Sequence, residues 1–215
     1  MFYISPFYHL VFPFEKFIVI DADIEFQQSL LRLYKEFDKF GPNQLFGLAK
    51  DMSPYYRTVL YQYRKENPGT EHGDVGRLQG LNTGVALFHL QRMRESQEFA
   101  EYLRHDNIKK VCDKFHFKGF IGDQVEIRIF PSEVKMYKSS LQDWWNIVAW
   151  DRPELLYFLD CGFNFQIRGE FNRPPFDKVF YILFIEKLPH ISSFQLFDEY
   201  HNCDSKVMIK HGHNM

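Results

Sequence analysis

In the first half of the chain, segments with the hydrophobic pattern of a strand alternate with segments that have the hydrophobic spacing of a helix. The apolar run Phe17–Ile20 is closed abruptly by two aspartates, Asp21 and Asp23, which predicts a buried strand that reaches the surface at its carboxyl end. The segment Ser29–Phe40 spaces its apolar residues as an amphipathic helix does, and a Gly-Pro pair ends it. Further strands are predicted within residues 45–49 and 81–90, and further helices over residues 53–63 and 93–103.

Strands that alternate with helices favour an α/β fold in which helices flank a mixed, mostly parallel sheet. In nucleotide-binding sheets of this class, strands that precede a ligand-bearing strand normally build the pocket for the base. Only a short stretch precedes Phe17. We therefore expect either an unusual fold or a fragment, a partial domain over residues 1–215 that is incomplete on its nucleotide-base side.

The composition is that of a globular chain and excludes several classes of protein. Hydrophobic residues make up 45% and charged residues 25%, and the 24 phenylalanines are an unusual excess. The formal charge of −2 gives no basic field that would gather nucleic acid, so no nucleic-acid partner is expected. Three cysteines are too few for a disulfide scaffold, and they leave the redox compartment open.

The sharpest chemical signal is the pair of carboxylates at the end of the first predicted strand. Residues i and i+2 of a strand share a face, so Asp21 and Asp23 can converge on one divalent cation. Carboxylate oxygens suit Mg²⁺ or Mn²⁺, and such a cation would bridge the phosphates of a nucleotide ligand. The alternative is an ordinary acidic strand end, but two carboxylates beside a dry strand need a compensating charge.

Three further motifs carry weaker signals, each with an ordinary structural alternative. Asn82 offers a donor and an acceptor, and Gly84 would let a ligand approach the backbone, although a plain turn before a strand explains both. The Gly-Asp turn before Gln124 is equally commonplace. His211, near the end of the chain, is either a ligand to metal or phosphate or a solvated histidine.

An ordered series of motifs runs through the chain. It consists of FIVIDADIEF from residue 17, LNTGVALFHLQRMRES from 81, KFHFKGFIGDQ from 114, LLYFLDCGFN from 155 and MIKHGH from 208. In this order the series resembles the family 8 glycosyltransferases, which are retaining enzymes of the GT-A fold that use a nucleotide-sugar donor. The resemblance covers residues 14–124, 143–178 and 196–213.

The resemblance implies a metal centre. By the family pattern, Asp21, Asp23 and His211 would bind Mn²⁺, or alternatively Mg²⁺, together with the donor diphosphate, and Gly212 would lie close to that diphosphate. A metal suits the chemistry, because UDP leaves with negative charge that a bound cation stabilises.

The resemblance also implies the residues around the transferred sugar. Asn82 and Gly84 would line the cleft for sugar and acceptor, and Asp123 and Gln124 would lie beside the donor sugar at the reaction centre. The family reads Gly-Asp-Gln-Asp without interruption, whereas the last aspartate of that motif arrives here only at Asp143. The sequence shows no committed nucleophile, so none is assigned.

Two segments, residues 125–142 and 179–195, exceed the family pattern, and residues 1–13 also fall outside it. Both segments begin with Val and end with Gln. Valine codons begin with GT and a glutamine codon can be CAG, the two ends of a spliceosomal intron, so we expect two short introns translated in frame. The alternative is a pair of surface-loop insertions, which loops tolerate well. In either case the split motif predicts that the chain as written is a poor enzyme.

The function implied by the resemblance is transfer of xylose from UDP-xylose to a xylosyl-glucose O-glycan on EGF-like repeats. That acceptor would place the enzyme in the lumen of the endoplasmic reticulum, behind an N-terminal membrane anchor that lies outside this chain. UDP-glucose stays open as a donor. The alternative is an inactive sugar- or protein-binding relic of the same fold, which loss of the base pocket and the split motif would produce.

The cysteines have one expected pairing. Cys161 and Cys203 would pair in an oxidising lumen, because both lie in the C-terminal segment that must fold back to the metal. Cys112, on a predicted helix, is expected to be a buried small hydrophobe. Three free thiols are the alternative.

Overall fold

In the computed structural model, which describes residues 2–117, 141–167 and 198–212, strands alternate with helices. The strands are β1 (Phe17–Ile20), β2 (Ile24–Phe26), β3 (Phe46–Lys50), β4 (Leu81–Phe88), β5 (Leu156–Leu159), β6 (Phe165–Gln166) and β7 (Ile209–His211). The helices are α1 (Tyr8–Val11), α2 (Leu30–Tyr34), α3 (Tyr55–Val59), α4 (Tyr61–Glu66), α5 (Leu90–Glu95), α6 (Gln97–Tyr102), α7 (His105–Lys114) and α8 (Leu141–Asp151). Short 3-10 segments cover Phe2–Phe7, Lys35–Lys39, Pro153–Leu155 and Cys161–Phe163. Within these ranges, every helix is too short or too polar to cross a bilayer.

The larger sheet has four strands in the order β1-β4-β3-β5. Strand β4 runs antiparallel to β1 and to β3, while β3 and β5 are parallel, so β1, β3 and β5 point in one direction. The carboxyl ends of those three strands therefore meet at one edge of the sheet, where open α/β sheets bind ligands. This arrangement confirms the predicted mixed α/β fold. Three of the four described strands of this sheet point the same way, but two of its three pairings, those of β4 with β1 and with β3, are antiparallel, because β4 lies between them.

Strand β1 differs from the prediction in its burial. Phe17, Ile18 and Val19 are half-buried rather than buried, and Ile20 is exposed. The reason is the position of β1 at the end of the strand order, where only β4 pairs with it among the described strands. Phe17 and Val19 still pack against one apolar core and Ile18 against a second, so each face of the strand is covered.

The three predicted helices are each divided in two. The segment 29–40 forms α2 and then a 3-10 segment, residues 53–63 form α3 and the start of α4, and residues 93–103 belong to α5 and α6. The last division has a clear cause, because Ser96 is extended and its side chain accepts a hydrogen bond from the Phe99 N–H, which caps α6.

Helix α8 packs across the larger sheet and anchors it. Trp145 is fully buried against Phe46, Phe88 and Phe99. Its neighbour Asn146 is also fully buried. The Asn146 side chain accepts from the backbone N–H of Leu81 at 2.7 Å and donates to the carbonyl of Leu81 at 2.9 Å. These two hydrogen bonds fix the start of β4 against α8.

A second, three-stranded sheet in the order β2-β7-β6 was not predicted. Strand β7 lies at its centre, antiparallel to β2 and parallel to β6. Its strands are only two or three residues long, which is too short for a hydrophobic period to reveal them. This small sheet carries the C-terminal segment back to the end of β1.

The expected disulfide is present. Cys161 and Cys203 are joined, with their Cα atoms 5.8 Å apart and a sequence separation of 42. Cys112 is half-buried on α7 and packs against the larger core, as expected for a small hydrophobe. Burial raises the pKa of its thiol to about 11, so at neutral pH it is protonated and unreactive.

We expect Asn146→Ala to lower the free energy of unfolding by about 2–4 kcal/mol, because two buried backbone groups of Leu81 lose their partners. Urea unfolding followed by tryptophan fluorescence measures the change. The control is Gln91→Ala, which removes only an exposed hydrogen bond to Glu95 and should cost less than about 0.5 kcal/mol. Equal stability of the two variants would contradict the anchoring role of Asn146.

Replacing both Cys161 and Cys203 by serine should lower the free energy of unfolding by about 4 kcal/mol, the loop-closure value for a loop of this length. Cys112→Ala is the matched control and should leave the disulfide contribution intact. Thiol counting on the denatured, unreduced parent chain gives one free thiol if the pairing is correct, whereas three would rule it out.

Candidate metal centre and reaction site

Asp21 and Asp23 lie in the turn that leaves the larger sheet and enters the smaller one. Asp21 directly follows β1, and its backbone N–H donates to the carbonyl of Gly84 at 2.9 Å, which extends the pairing of β1 with β4. Asp23 directly precedes β2, whose first residue, Ile24, pairs with His211. The fold thus holds both carboxylates at the junction of the two sheets.

Strand β7 brings His211 to this junction from the other end of the chain. Its Nε2 lies 3.3 Å from Oδ2 of Asp21 and 3.4 Å from Oδ1 of Asp23. One ligand atom from each of the three side chains lies within 4.8 Å of the other two. The next residue, Gly212, has a φ of +83°, and its N–H donates to the carbonyl of Asp23 at 2.9 Å. The structure therefore brings these three predicted ligands together.

Gly84 provides the space that the imidazole of His211 occupies. The pairing of β3 with β4 shifts between Leu48 and Ala49, so that part of β4 forms a bulge near Gly84. A Cβ atom built on Gly84 would collide with the His211 ring. The structure thus places Gly84 directly beneath the histidine. Its expected position along the cleft for sugar and acceptor stays a prediction.

The surroundings of His211 are acidic. Burial lowers the pKa of the imidazole, but the hydrogen bond to Asp21 and the charges of Asp23, Asp21 and Asp51 outweigh burial and raise the pKa above its ordinary value. The ring's Nδ1 is buried and has no hydrogen-bond partner within the described ranges. Nε2 is therefore the nitrogen that faces the carboxylates.

The donor set of this centre fits a divalent cation. Two carboxylate oxygens and one imidazole nitrogen are ligands that Mn²⁺ accepts. The exposed fractions of the side chains are 46% for Asp21 and 36% for Asp23, against 13% for His211. An ion held by these three residues would therefore keep coordination positions open toward solvent, where a ligand oxygen could bind.

A buried polar network extends inward from Gly84. The side-chain oxygen of Asn82 accepts from the Gly84 N–H at 2.8 Å and from Nδ2 of Asn164 at 2.9 Å. Asn82 also hydrogen-bonds to Asp51. Asn164 is fully buried, and its own side-chain oxygen has no partner in the part of the chain that is described. Asn82, a predicted site residue, is therefore the link between the metal centre and the interior.

Asp51 was not singled out by the sequence analysis. Its Oδ1 accepts from Oγ of Ser53 at 2.6 Å, and its Oδ2 accepts from Nε2 of Gln142 at 2.9 Å. Burial raises the pKa of its carboxyl group, against the opposing effect of the hydrogen bonds from Ser53, Gln142 and Asn82. A signal was available, because Asp51 directly follows β3 as Asp21 follows β1. Parallel strands deliver such residues to the same edge of a sheet.

Asp143 lies in the same interior region as Asp51. It is buried, and its Oδ1 accepts from the hydroxyl of Tyr56 at 2.9 Å. Burial raises the pKa of Tyr56, and the charges of Asp143 and Asp51 raise it further, so both carboxylates face this tyrosine. Asp143 is not among the three side chains that converge as a metal set.

Helix α8 crosses the expected boundary between residues 142 and 143, so that boundary does not coincide with an end of secondary structure. Residues 124 and 142 are both glutamine. Removing residues 124–141 therefore leaves the same sequence as removing residues 125–142, so either range can be the extra segment. If residues 124–141 are the extra segment, Gln142, which lies beside Asp143 and hydrogen-bonds to Asp51, is the glutamine of the split motif.

Asp123, Gln124 and all of segment 179–195 lie outside the described residues.

Comparison with known proteins gives a consistent result. The chain is 30% identical to mouse xyloside xylosyltransferase 1 over 216 residues, which is 99% of this chain and 46% of that protein. It is 26% identical to human xylosyl- and glucuronyltransferase LARGE1 over 153 residues, 71% of this chain and 16% of that protein. No protein-family model matches the chain.

The fold supports the same relationship. The apo crystal structure of mouse xyloside xylosyltransferase 1 superposes with a TM-score of 0.76 and 28% identity, covering 98% of this chain and 62% of that chain. The chain spans about half the length of the xylosyltransferases that it matches.

We expect Asp21→Asn, Asp23→Asn and His211→Ala each to weaken Mn²⁺ binding by about 100-fold or more, because each variant removes a side chain that binds the metal directly. Loss of a residue that only hydrogen-bonds to such a ligand already lowers metal affinity by about 10–100-fold. Titration of free Mn²⁺ by electron paramagnetic resonance measures the affinity. Asp38→Asn, an exposed carboxylate on another segment, is the control and should leave it unchanged. Unchanged affinity in Asp23→Asn would remove it from the ligand set.

We also expect Gly84→Ala to weaken Mn²⁺ binding by about tenfold or more, because the added methyl group displaces the His211 ring. Gly41→Ala is the matched control, since its added Cβ meets only the side chain of Gln44 at ordinary contact distance. Equal Mn²⁺ affinity in the two variants would show that Gly84 does not position His211.

Proposed function

We propose that this chain, a homologue of the xyloside xylosyltransferases that shares their α/β fold, is the catalytic part of a metal-dependent glycosyltransferase that transfers xylose from UDP-xylose. The observation that carries the proposal is the convergence of Asp21, Asp23 and His211 at the junction of two sheets. An acidic set with one imidazole is suited to a divalent cation, and the GT-A fold generally binds such a cation with a nucleotide-sugar.

The three side chains of the metal centre would hold the cation at the exposed end of β1. A bound divalent cation supplies positive charge that stabilises the diphosphate as it leaves. Gly212 contributes in two ways. Its N–H fixes the carbonyl of Asp23. Apart from its chain neighbours, no atom of the described residues lies within 4 Å of where its Cβ would be, so a diphosphate can approach the backbone there.

The buried network would orient the groups around the transferred sugar. Asp51 accepts hydrogen bonds from Gln142 and Asn82, so it fixes which way both amides point. Asn82 is also held by Asn164 from the opposite side. Amide groups held in this way can donate to and accept from sugar hydroxyls without reorganising during the reaction. Retention of configuration follows the family, and no nucleophile is assigned.

The acceptor that we propose is a xylosyl-glucose O-glycan on EGF-like repeats, with the protein in the lumen of the endoplasmic reticulum behind a membrane anchor. Similarity to a xyloside xylosyltransferase supports a xyloside as acceptor. The disulfide between Cys161 and Cys203 is consistent with an oxidising compartment. An inactive binding relic is the rival function, and the intact set of three converging side chains favours the enzyme over it.

The direct test is release of UDP from UDP-xylose, with and without a xylosyl-glucose acceptor, in Mn²⁺, Mg²⁺ or EDTA. We expect activity in Mn²⁺ that EDTA abolishes and that Asp23→Asn lowers at least about 100-fold, with Asp38→Asn as the matched control. UDP-glucose in place of UDP-xylose identifies the donor sugar. Equal turnover by Asp23→Asn and the parent would contradict the role of Asp23 in the metal centre, and no turnover by any form would favour the relic.

The two extra segments call for their own comparison. We propose that removing residues 125–142 and 179–195 raises the rate, because it restores Gly-Asp-Gln-Asp as a continuous motif and a displacement of about 1 Å at a reaction centre can cost 100-fold. Sequencing the transcript across both segments decides whether they are introns. If the message keeps both segments and their removal does not raise the rate, the segments are surface loops.

A further inference from the structure

Beyond its last residue, β3 continues toward Asp51 with β5 no longer beside it. Strand β5 pairs with β3 as far as Leu159, which lies opposite Ala49. In the same register Cys161 would lie opposite Asp51, but Cys161 begins a 3-10 segment instead. On the side of β4, the N–H of Asp51 still donates to the carbonyl of Gly80 at 2.9 Å. Because backbone groups alternate between the two sides of a strand, the residues that flank Asp51 face the side that β5 has left.

The side chain of Gln166 lies in the place that a further residue of a parallel strand would take. Its Nε2 donates to the carbonyl of Lys50 at 3.1 Å, and its Oε1 accepts from the N–H of Met52 at 3.0 Å. In a parallel ladder, a residue donates to the residue before its opposite neighbour and accepts from the residue after it. The amide of Gln166 therefore makes the two hydrogen bonds of a strand residue opposite Asp51.

The backbone of Gln166 belongs to the smaller sheet. Gln166 ends β6 and pairs with His211 of β7, and the N–H of Ile167 donates to the carbonyl of His211 at 2.9 Å. These are main-chain interactions, so they do not depend on the Gln166 side chain. One residue thus joins Asp51 in the larger sheet to His211 in the smaller sheet, and its side chain makes the first of these connections.

The position of Asp51 decides where two amide side chains point. The buried carboxylate of Asp51 accepts from Nε2 of Gln142 at 2.9 Å and hydrogen-bonds to Asn82. The Asp51 carbonyl accepts from Nε2 of Gln79 at 2.7 Å. With the bonds from Gln166, four successive backbone groups around Asp51 are held. A shift of this backbone would therefore pass directly to the amides of Gln142 and Asn82.

We infer that Gln166 is a positioning residue, which holds Asp51 and the two amides bound to it at a fixed place relative to the metal centre. The inference rests on the proposed function for the reaction that these amides serve, but not for the contacts themselves. Since main-chain pairing holds His211, loss of the Gln166 side chain should disturb the amides and leave the metal ligands in place.

The test compares the parent chain with Gln166→Met, which keeps the length of the side chain and removes both hydrogen bonds. In UDP-xylose and Mn²⁺ we expect kcat to fall by about 10–100-fold with the KM for the donor unchanged, because a displacement of about 1 Å can cost 100-fold in rate. Mn²⁺ affinity, measured by electron paramagnetic resonance, should be unchanged. The matched control is Gln91→Met, which removes only an exposed hydrogen bond to Glu95 and should keep the parent kcat.

A second measurement needs no activity. Hydrogen exchange of single backbone amides, followed by nuclear magnetic resonance, should be about tenfold faster at Met52 in Gln166→Met, because that N–H loses its acceptor. The N–H of Ala86, in the middle of β4, should exchange at the parent rate. Gln166→Glu keeps an acceptor of the same length, so Met52 should exchange more slowly in this variant than in Gln166→Met.

Four outcomes would overturn the inference. They are an unchanged exchange rate at Met52, faster exchange at Met52 and Ala86 alike, an unchanged kcat in an active parent, and a loss of Mn²⁺ affinity as large as the loss of kcat. If the parent itself has no turnover, the proposed function fails, while exchange at Met52 and Mn²⁺ affinity still decide the role of Gln166. Metal-dependent transfer with an unchanged kcat in Gln166→Met refutes only this inference.

Discussion

The position of one imidazole ring, that of His211, sets the geometry of the whole candidate site. The ring lies over Gly84, where any side chain would displace it, and its Nε2 faces both Asp21 and Asp23. This packing joins the larger sheet, through β1 and β4, to the smaller sheet, through β7. The two carboxylates repel each other, so the fold needs a positive charge between them, from a proton on the histidine or from a cation.

The interior polar network lies on the inner side of this metal centre, so the inner and outer sides of the centre differ. Asp51 and Asn82 connect Gly84 to helix α8, where the half-buried Gln142 donates to Asp51 and its carbonyl accepts from the side chain of the buried Asn146. Buried polar groups are costly unless each finds a partner, and Asp51, Asn82 and Asn146 each have hydrogen bonds on their side chains, whereas the side-chain oxygen of Asn164 has none among the described residues. The network therefore fixes one arrangement of amide groups on the inner side of the centre. The exposed sides of Asp21 and Asp23 leave the outer side open to a ligand.

Local sequence patterns predicted the elements well, and tertiary packing changed their details. The run Phe17–Ile20 forms a strand over the predicted residues, but it is half-buried, because only one described strand pairs with it. The helix predicted over 93–103 is divided at Ser96, whose extended backbone and side-chain cap start a new helix. A helical period in the apolar residues cannot reveal such a division, since both halves keep their apolar sides on the same core.

The sequence by itself determined the alternation of strands and helices, the two carboxylates at the end of β1, the pairing of Cys161 with Cys203 as one of two alternatives, and the family resemblance. Only the tertiary structure decided that His211 faces those carboxylates, that Gly84 lies beneath it, and that Asp51 and Gln142 meet behind it. The reason is physical. The side-chain period of a strand or helix is set by neighbouring residues and is visible in sequence, whereas these contacts depend on the pairing of short strands far apart in the chain, which no local spacing encodes.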